Sequence, residues 1–171
     1  MAYNFKDVKV LVVESSEPMF KLVKGVLNLF SVPEQNVYAA YTVEDAYKSF
    51  REMNHDLIIA DWLENPDRGI QLTIKIRTEK DTPNAFVPVI MTAGSGHLAR
   101  VLRARDAGIS EYLVKPFSAK SLAERISRVI EKPRVFVVCD SYTGPDRRAK
   151  TEGYLGPERR EDNTKTHEVK S

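Results

Sequence analysis

A single cysteine, Cys139, in a chain of 171 residues excludes an internal disulfide framework. No apolar run approaches the roughly 20 residues that cross a bilayer, and Met1–Val10 lacks a basic segment followed by a long apolar one, so neither a membrane span nor a secretory leader is expected. A surplus of one charge is also missing. The 26 basic and 24 acidic side chains leave a formal net charge of +2, too balanced to favour DNA or a membrane surface as a general partner. The three histidines, His55, His97 and His167, have no metal-ligand spacing. A nucleophile elbow, a phosphate-binding loop and a glycine-rich dinucleotide fingerprint are likewise absent, Gly94-Ser95-Gly96 being too little for one, and no enzyme activity is expected. Cytoplasmic placement is the expectation.

Ordinary globular composition is present instead: 42% hydrophobic and 29% charged residues exclude a wholly disordered chain and imply one core. The β-branched run Val8–Val13 ends in Glu14-Ser15-Ser16-Glu17-Pro18, where cap residues precede an apolar stripe at Phe20, Val23, Leu27 and Phe30. A buried strand therefore runs into an amphipathic helix, stopped at Ser31-Val32-Pro33. The alternation repeats. Strands are expected at Val37–Tyr41, Leu57–Ala60, Val87–Met91 and Tyr112–Val114, with helices over Val43–Met53, from near Gly69, over His97–Ala107 and over Ala119–Ile130. Five strands alternating with five helices through short connections require right-handed crossovers and a parallel sheet covered on both faces. This is a doubly wound α/β domain, in which chemistry collects beyond the carboxyl ends of the strands. Glu14, Ser15, Asp61, Thr92, Ala93 and Lys115 fall there.

The ordered series Val12-Val13-Glu14-Ser15, Leu57–Trp62, Val87–Met91 and Ala107–Phe117, with its Lys115-Pro116, resembles bacterial response-regulator receiver domains of the CheY-like kind. The resemblance covers about Val8–Ile130 and implies a flavodoxin-like sheet of strand order 2-1-3-4-5, with a receiver domain over 7–132. It implies that Asp61 accepts a phosphoryl group in line while Mg²⁺ and Lys115 neutralise the oxygens. The metal set carried over is Glu14, Asp61 and the backbone carbonyl of Leu63. Two departures stand out. Ser15 brings no charge where the family places a principal carboxylate, so Mg²⁺ binding should be weak. The hydroxyl residue that the family has at the end of strand four falls on Ala93, with Thr92 one residue early; a strand-end bulge would bring Thr92 into place, and otherwise period-two alternation aims it at the other face. Tyr112 matches the aromatic switch partner. In the loop after Asp61, Glu64-Asn65-Pro66 sets a proline one place later than usual and adds a charge. The output face implied by the resemblance includes Arg100 and Arg103, which share one side of the fourth helix.

Beyond Lys132 the composition changes. Val135–Val138 is β-branched and suits an edge strand or pairing with another chain. From Asp140 to Ser171 seven basic and seven acidic residues accompany few apolar ones, so within the arginine-containing tail of 133–171 this stretch is expected to be disordered when free. Within it Tyr142-Thr143-Gly144-Pro145-Asp146-Arg147-Arg148 recurs as Tyr154-Leu155-Gly156-Pro157-Glu158-Arg159-Arg160, twelve residues on. Two copies are too few for a solenoid, and recognition explains them better than folding. Gly-Pro fixes a turn, the acid follows, and paired arginines grip phosphates or stack on rings. The tail resembles those of single-domain receivers with arginine-rich C-terminal segments, some of which bind cyclic di-GMP. That resemblance implies nucleotide contacts at Asp146, Arg147, Arg148, Glu158, Arg159 and Arg160. Three readings follow: a switch phosphorylated by a histidine kinase or phosphotransfer protein and acting on a downstream target such as a motor or signalling component, a nucleotide-sensing adaptor, and a signal-independent scaffold.

Overall fold

The computed structural model describes residues 5–63, 67–147 and 165–167. Its centre is a parallel sheet of β1 (Val10–Val13), β2 (Val37–Ala40), β3 (Leu57–Asp61), β4 (Val89–Ala93) and β5 (Glu111–Val114), in the order β2-β1-β3-β4-β5. The helices are α1 (Glu17–Leu29), α2 (Val43–Met53), α3 (Arg68–Thr78), α4 (Leu98–Asp106) and α5 (Ala119–Glu131). The expected doubly wound fold and strand order are observed.

Strand alternation sorts the core into two layers. Leu11, Val13, Ile58, Ala60 and Met91 face α2, α3 and α4, where Phe50, Ile70, Leu72 and Ile76 meet them. Val10, Val12, Ile59 and Ile90 face α1 and α5, against Val23, Leu27, Leu122 and Ile126. The central strands are buried on both sides, which is why they read as continuous apolar runs. Local signals fix the helix starts: Thr42 Oγ1 accepts from the Asp45 N–H at 3.1 Å, and Ser118 and Ser121 form a reciprocal capping box.

The chain beyond α5 departs from the expected disordered tail. β6 (Phe136–Cys139) and β7 (Tyr142–Pro145) form an antiparallel hairpin, and β8 (Lys165–His167) pairs with the other edge of β6. Val135–Val138 therefore builds a small sheet of its own, not an edge of the main one. The hairpin needs no independent core because it borrows one. Phe136 and Tyr142 are buried, Phe136 packs edge-on against Phe86 at 5.5 Å, and the Arg77 guanidinium lies 5.1 Å from its ring. Arg134, leading into β6, shares the buried Glu111 carboxylate with Arg125 and Arg128 of α5.

Arg77 is the buried centre of this end. Its Nε and Nη2 donate to the Gly108 carbonyl at 3.0 Å, Nη1 to Ala85 at 2.8 Å and Nη2 to Val87 at 2.8 Å. Burial pulls its pKa down to about 9, which leaves it a cation at neutral pH. Gly108 has φ 93°, and a Cβ there would lie 2.7 Å from the Thr143 carbonyl. Only glycine meets both demands.

Candidate functional site

Glu14 follows β1 directly, Asp61 closes β3 and Lys115 follows β5, so the parallel topology delivers all three to one end of the sheet. Lys115 Nζ lies 2.6 Å from Glu14 Oε2 and 2.9 Å from Asp61 Oδ1. Glu14, only 5% exposed, also accepts the Ser16 N–H on Oε1 at 2.8 Å. Burial works against the Lys115 charge, but hydrogen bonds to Glu14 and Asp61 and the charges of both outweigh it and raise the lysine pKa. The ammonium is thus a fixed cation between two carboxylates. Among the described residues, Asp61 Oδ2 accepts a long contact, 3.4 Å, from the Leu63 N–H.

The residues do not fit a full Mg²⁺ site. Among the described residues no group of three or more histidine, cysteine or acidic side chains is placed to hold a metal. Lys115 already bridges Glu14 and Asp61, the two carboxylates that the described residues bring here, and Ser15 contributes no charge. The expected third donor, the Leu63 carbonyl, accepts the Arg68 N–H at 3.3 Å in the turn that starts α3. That turn is tight, because a Cβ on Gly69 would collide with the Asp61 carbonyl.

Strand four resolves the switch position. Ala93 belongs to the core layer of Met91 and Tyr112, whereas Thr92 shares parity with Ile90, whose side chain faces the α1 and α5 layer. Tyr112 is nonetheless held inward: its hydroxyl donates to the Ser95 carbonyl at 2.5 Å and its ring meets Trp62 edge-on at 6.4 Å. Burial raises its pKa, with Arg100 opposing. Trp62 is a junction the sequence does not announce, since an aromatic after a strand is usually packing. It is buried, its Nε1–H donates to Asp67 Oδ1 at 2.8 Å, and the Arg100 guanidinium lies 5.2 Å from its ring. Asp67 also pairs with Arg103.

Arg100 and Arg103 therefore turn toward the β3–α3 loop. Beside the exposed Arg103, Arg105 and Asp106, α4 and β5 also present apolar side chains outward: Leu98 is 71% exposed, Val114 41% and Leu102 36%. Arg147 lies far from the strand-end site, stacked 4.0 Å from the Tyr142 ring centroid with Nη1 donating to Asp106 Oδ1 at 2.7 Å. The Asp146 N–H donates to the Val135 carbonyl at 2.7 Å. Glu64-Asn65-Pro66, Arg148, Glu158, Arg159 and Arg160 lie outside the described residues.

An acid at the end of β3, a lysine after β5 bonded to it and a 2-1-3-4-5 sheet agree with what the profile of one family finds. The response regulator receiver domain matches residues 10–127. The chain belongs to the response-regulator receiver family. It is 27% identical over 127 residues to the chemotaxis protein CheY-3 of Vibrio cholerae, covering 74% of this chain and 95% of that one. It is 32% identical over 127 residues to the phosphate regulon transcriptional regulatory protein PhoB of Escherichia coli, covering 72% of this chain and 52% of PhoB. Among solved structures, the chemotaxis response regulator CheY4 of Vibrio cholerae superposes with TM-score 0.63 at 23% identity, over 72% of this chain and 98% of that one. The Francisella response regulator 1452 receiver domain does so with TM-score 0.64 at 23% identity, over 75% and 100%. These receiver relatives are signalling proteins, which places the chain in two-component signalling. No helix among the described residues is long and apolar enough to cross a membrane.

Proposed function

We propose that this receiver works by protein–protein contact, with Asp61 as its phosphoryl acceptor and Lys115 as the resident cation of a site with little help from Mg²⁺. The observation that carries this is the 2.9 Å contact between Lys115 Nζ and Asp61 Oδ1, on an ammonium that Glu14 also holds at 2.6 Å. An Asp61 oxygen attacks the phosphorus of a phosphohistidine donor, the P–N bond breaks, and the electron pair goes to the imidazole, which is reprotonated. Lys115 faces the non-bridging oxygens, where charge accumulates. Because it must first loosen from Glu14, transfer is slow. The partner surface is the apolar strip Leu98, Leu102 and Val114, flanked by the held Tyr112. A histidine kinase or phosphotransfer protein supplies the input, and the location is the cytoplasm.

The test is intact-mass spectrometry after incubation with phosphoramidate, with and without excess Mg²⁺, against Asp61→Asn. Slow Asp61-dependent labelling that Mg²⁺ accelerates little is expected. Absence of label under both conditions overturns the phosphoryl part and leaves constitutive docking.

A second reading, a cyclic di-GMP-sensing adaptor, is favoured by the behaviour of Arg147. Its guanidinium stacks on a flat ring and grips a carboxylate at once, the two contacts a guanine nucleotide would also present. Binding would have to draw Arg147 off Asp106. Calorimetric titration with cyclic di-GMP, with GTP as control, separates this adaptor from a purely phosphorylation-driven receiver.

A further inference from the structure

The fourth helix is held differently from the others. Its one buried residue is Ala104, whereas α1 buries three residues, α2 four, α3 six and α5 three. Apolar burial is what fixes a surface helix on its sheet. With so little of it, the seating of α4 depends on polar contacts at either end. Toward the reactive end these are Arg103 with Asp67 and the Arg100 guanidinium over Trp62. At the far end stands Asp106, the last residue of the helix.

A carboxylate at a helix C-terminus meets the negative end of the helix dipole and is unfavourable unless cations offset it. Here two do. Arg105 donates to Asp106 Oδ1 through Nε at 3.1 Å and Nη2 at 2.9 Å, and Arg147 Nη1 donates to the same oxygen at 2.7 Å. Arg105 belongs to α4 itself, so its bond ties the helix to nothing else. Arg147 follows the β6–β7 hairpin, 41 residues on, and its bond joins two elements. Burial works against the Asp106 charge, but the hydrogen bonds and charges of both arginines outweigh it and hold its pKa below the usual carboxylate range.

The hairpin presents Arg147 from a fixed base. The guanidinium stacks 4.0 Å from the centroid of the buried Tyr142 ring, and the Tyr142 hydroxyl donates to the Pro145 carbonyl at 2.8 Å. Gly144 lies so close to Gly108, in the α4–β5 connection, that a Cβ on Gly144 would sit 2.7 Å from the Gly108 Cα. The hairpin thus braces the turn after α4 with backbone and the last residue of α4 with charge.

We infer that the β6–β7 hairpin is a clasp on α4, in which Arg147 positions the helix through Asp106 and so holds the face that carries Leu98 and Leu102. Opening the clasp loosens α4 without any change at Asp61, which gives this receiver a second control of that face. That the face receives a partner rests on the function proposed above; the clasp does not.

Hydrogen exchange of the full chain, followed by mass spectrometry, tests this with Arg147→Lys, Arg147→Met and Arg147→Glu. Methionine keeps an apolar stem for the Tyr142 ring and removes the charge. Exchange over 98–106 should rise in the order Lys, Met, Glu, by about fivefold for Met, while 119–131 stays unchanged. In 1 M NaCl, where the screening length falls to about 3 Å, the unmodified chain should approach the Arg147→Met variant. Emission of Trp62, the single tryptophan, should shift in the same order, because Arg100 of α4 lies over its ring. In an Asp106→Asn background, Arg147→Met should add nothing. The inference is overturned if exchange over 98–106 does not rise, if it rises over 136–145 alone, or if Arg147→Met acts as strongly without Asp106. No arm uses phosphoryl transfer, so failure of Asp61 labelling and failure of the clasp are read separately.

Discussion

Two cations, Lys115 and Arg77, organise opposite ends of the same sheet, and their surroundings differ in kind. Lys115 sits among carboxylates at the carboxyl ends of the strands, partly open to solvent. Arg77 sits at the other end, buried, and all its described hydrogen-bond acceptors are neutral backbone carbonyls. Carbonyls belong to the frame and cannot leave, so Arg77 fastens three segments of chain. Carboxylates are side chains, so each can turn away from Lys115 without unfolding the chain. The same charge is locked to the frame at one end and held by movable groups at the other because of what accepts its hydrogen bonds.

The sharpest way to break this comparison is to remove the buried cation. Arg77→Met leaves the Ala85, Val87 and Gly108 carbonyls without their donor, and should cost about 3–5 kcal/mol in urea unfolding while Asp61 chemistry persists in whatever stays folded. Arg77→Lys should not rescue it, since one ammonium cannot span the fork.

Next in size is His55, at the same end. It is fully buried between Tyr38, 4.7 Å away edge-on, and Phe50, and neither ring nitrogen has a hydrogen-bond partner. Burial, with the Lys9 charge adding and Asp56 opposing, lowers its pKa from 6.5 to about 4. The unfolded chain therefore binds this proton first as pH falls. Stability is full above pH 6.5 and declines through the interval down to about 4, by about 3 kcal/mol in total. Unfolding curves at pH 7 and 4.5 should differ, and His55→Phe should remove most of the slope between them.

At the reactive end the changes are smaller in stability. Ser15→Asp restores a carboxylate beside Glu14 and should raise Mg²⁺ affinity by about tenfold or more in an isothermal titration, with no such gain from Ser16→Asp. Tyr112→Phe removes one hydrogen bond, to Ser95, for about 1 kcal/mol, and should loosen the ring from Trp62, read as a change in tryptophan fluorescence.

Legibility differed between these ends for a physical reason. Apolar runs and stripes of period 3.6 mark β1–β5 and α1–α5, and a doubly wound sheet gathers its strand ends, so the convergence of Glu14, Asp61 and Lys115 is legible in the sequence. Alternation alone left a strand-end bulge open at Thr92, and the regular β4 places Ala93 and Thr92 on opposite faces. Trp62 and Asp67 were not readable as a pair, since their link to Arg100, Arg103 and Tyr112 exists only after α3 and α4 have packed. The hairpin was misread for a similar reason. A short segment with few apolar residues cannot make a core, and nothing local tells that Phe136 and Tyr142 will complete someone else's.

Periodicity, strand-end chemistry and the duplicated heptad are properties of neighbours along the chain, and those the amino-acid order settled. Pairing is different. Lys115 meets Glu14 across 101 residues and Arg77 meets Gly108 across 31, and such contacts become defined only when the sheet closes and charges must find partners out of water. Folding decided that the pocket's lysine is shared by two carboxylates, and that Arg147 at the far end is held by Asp106.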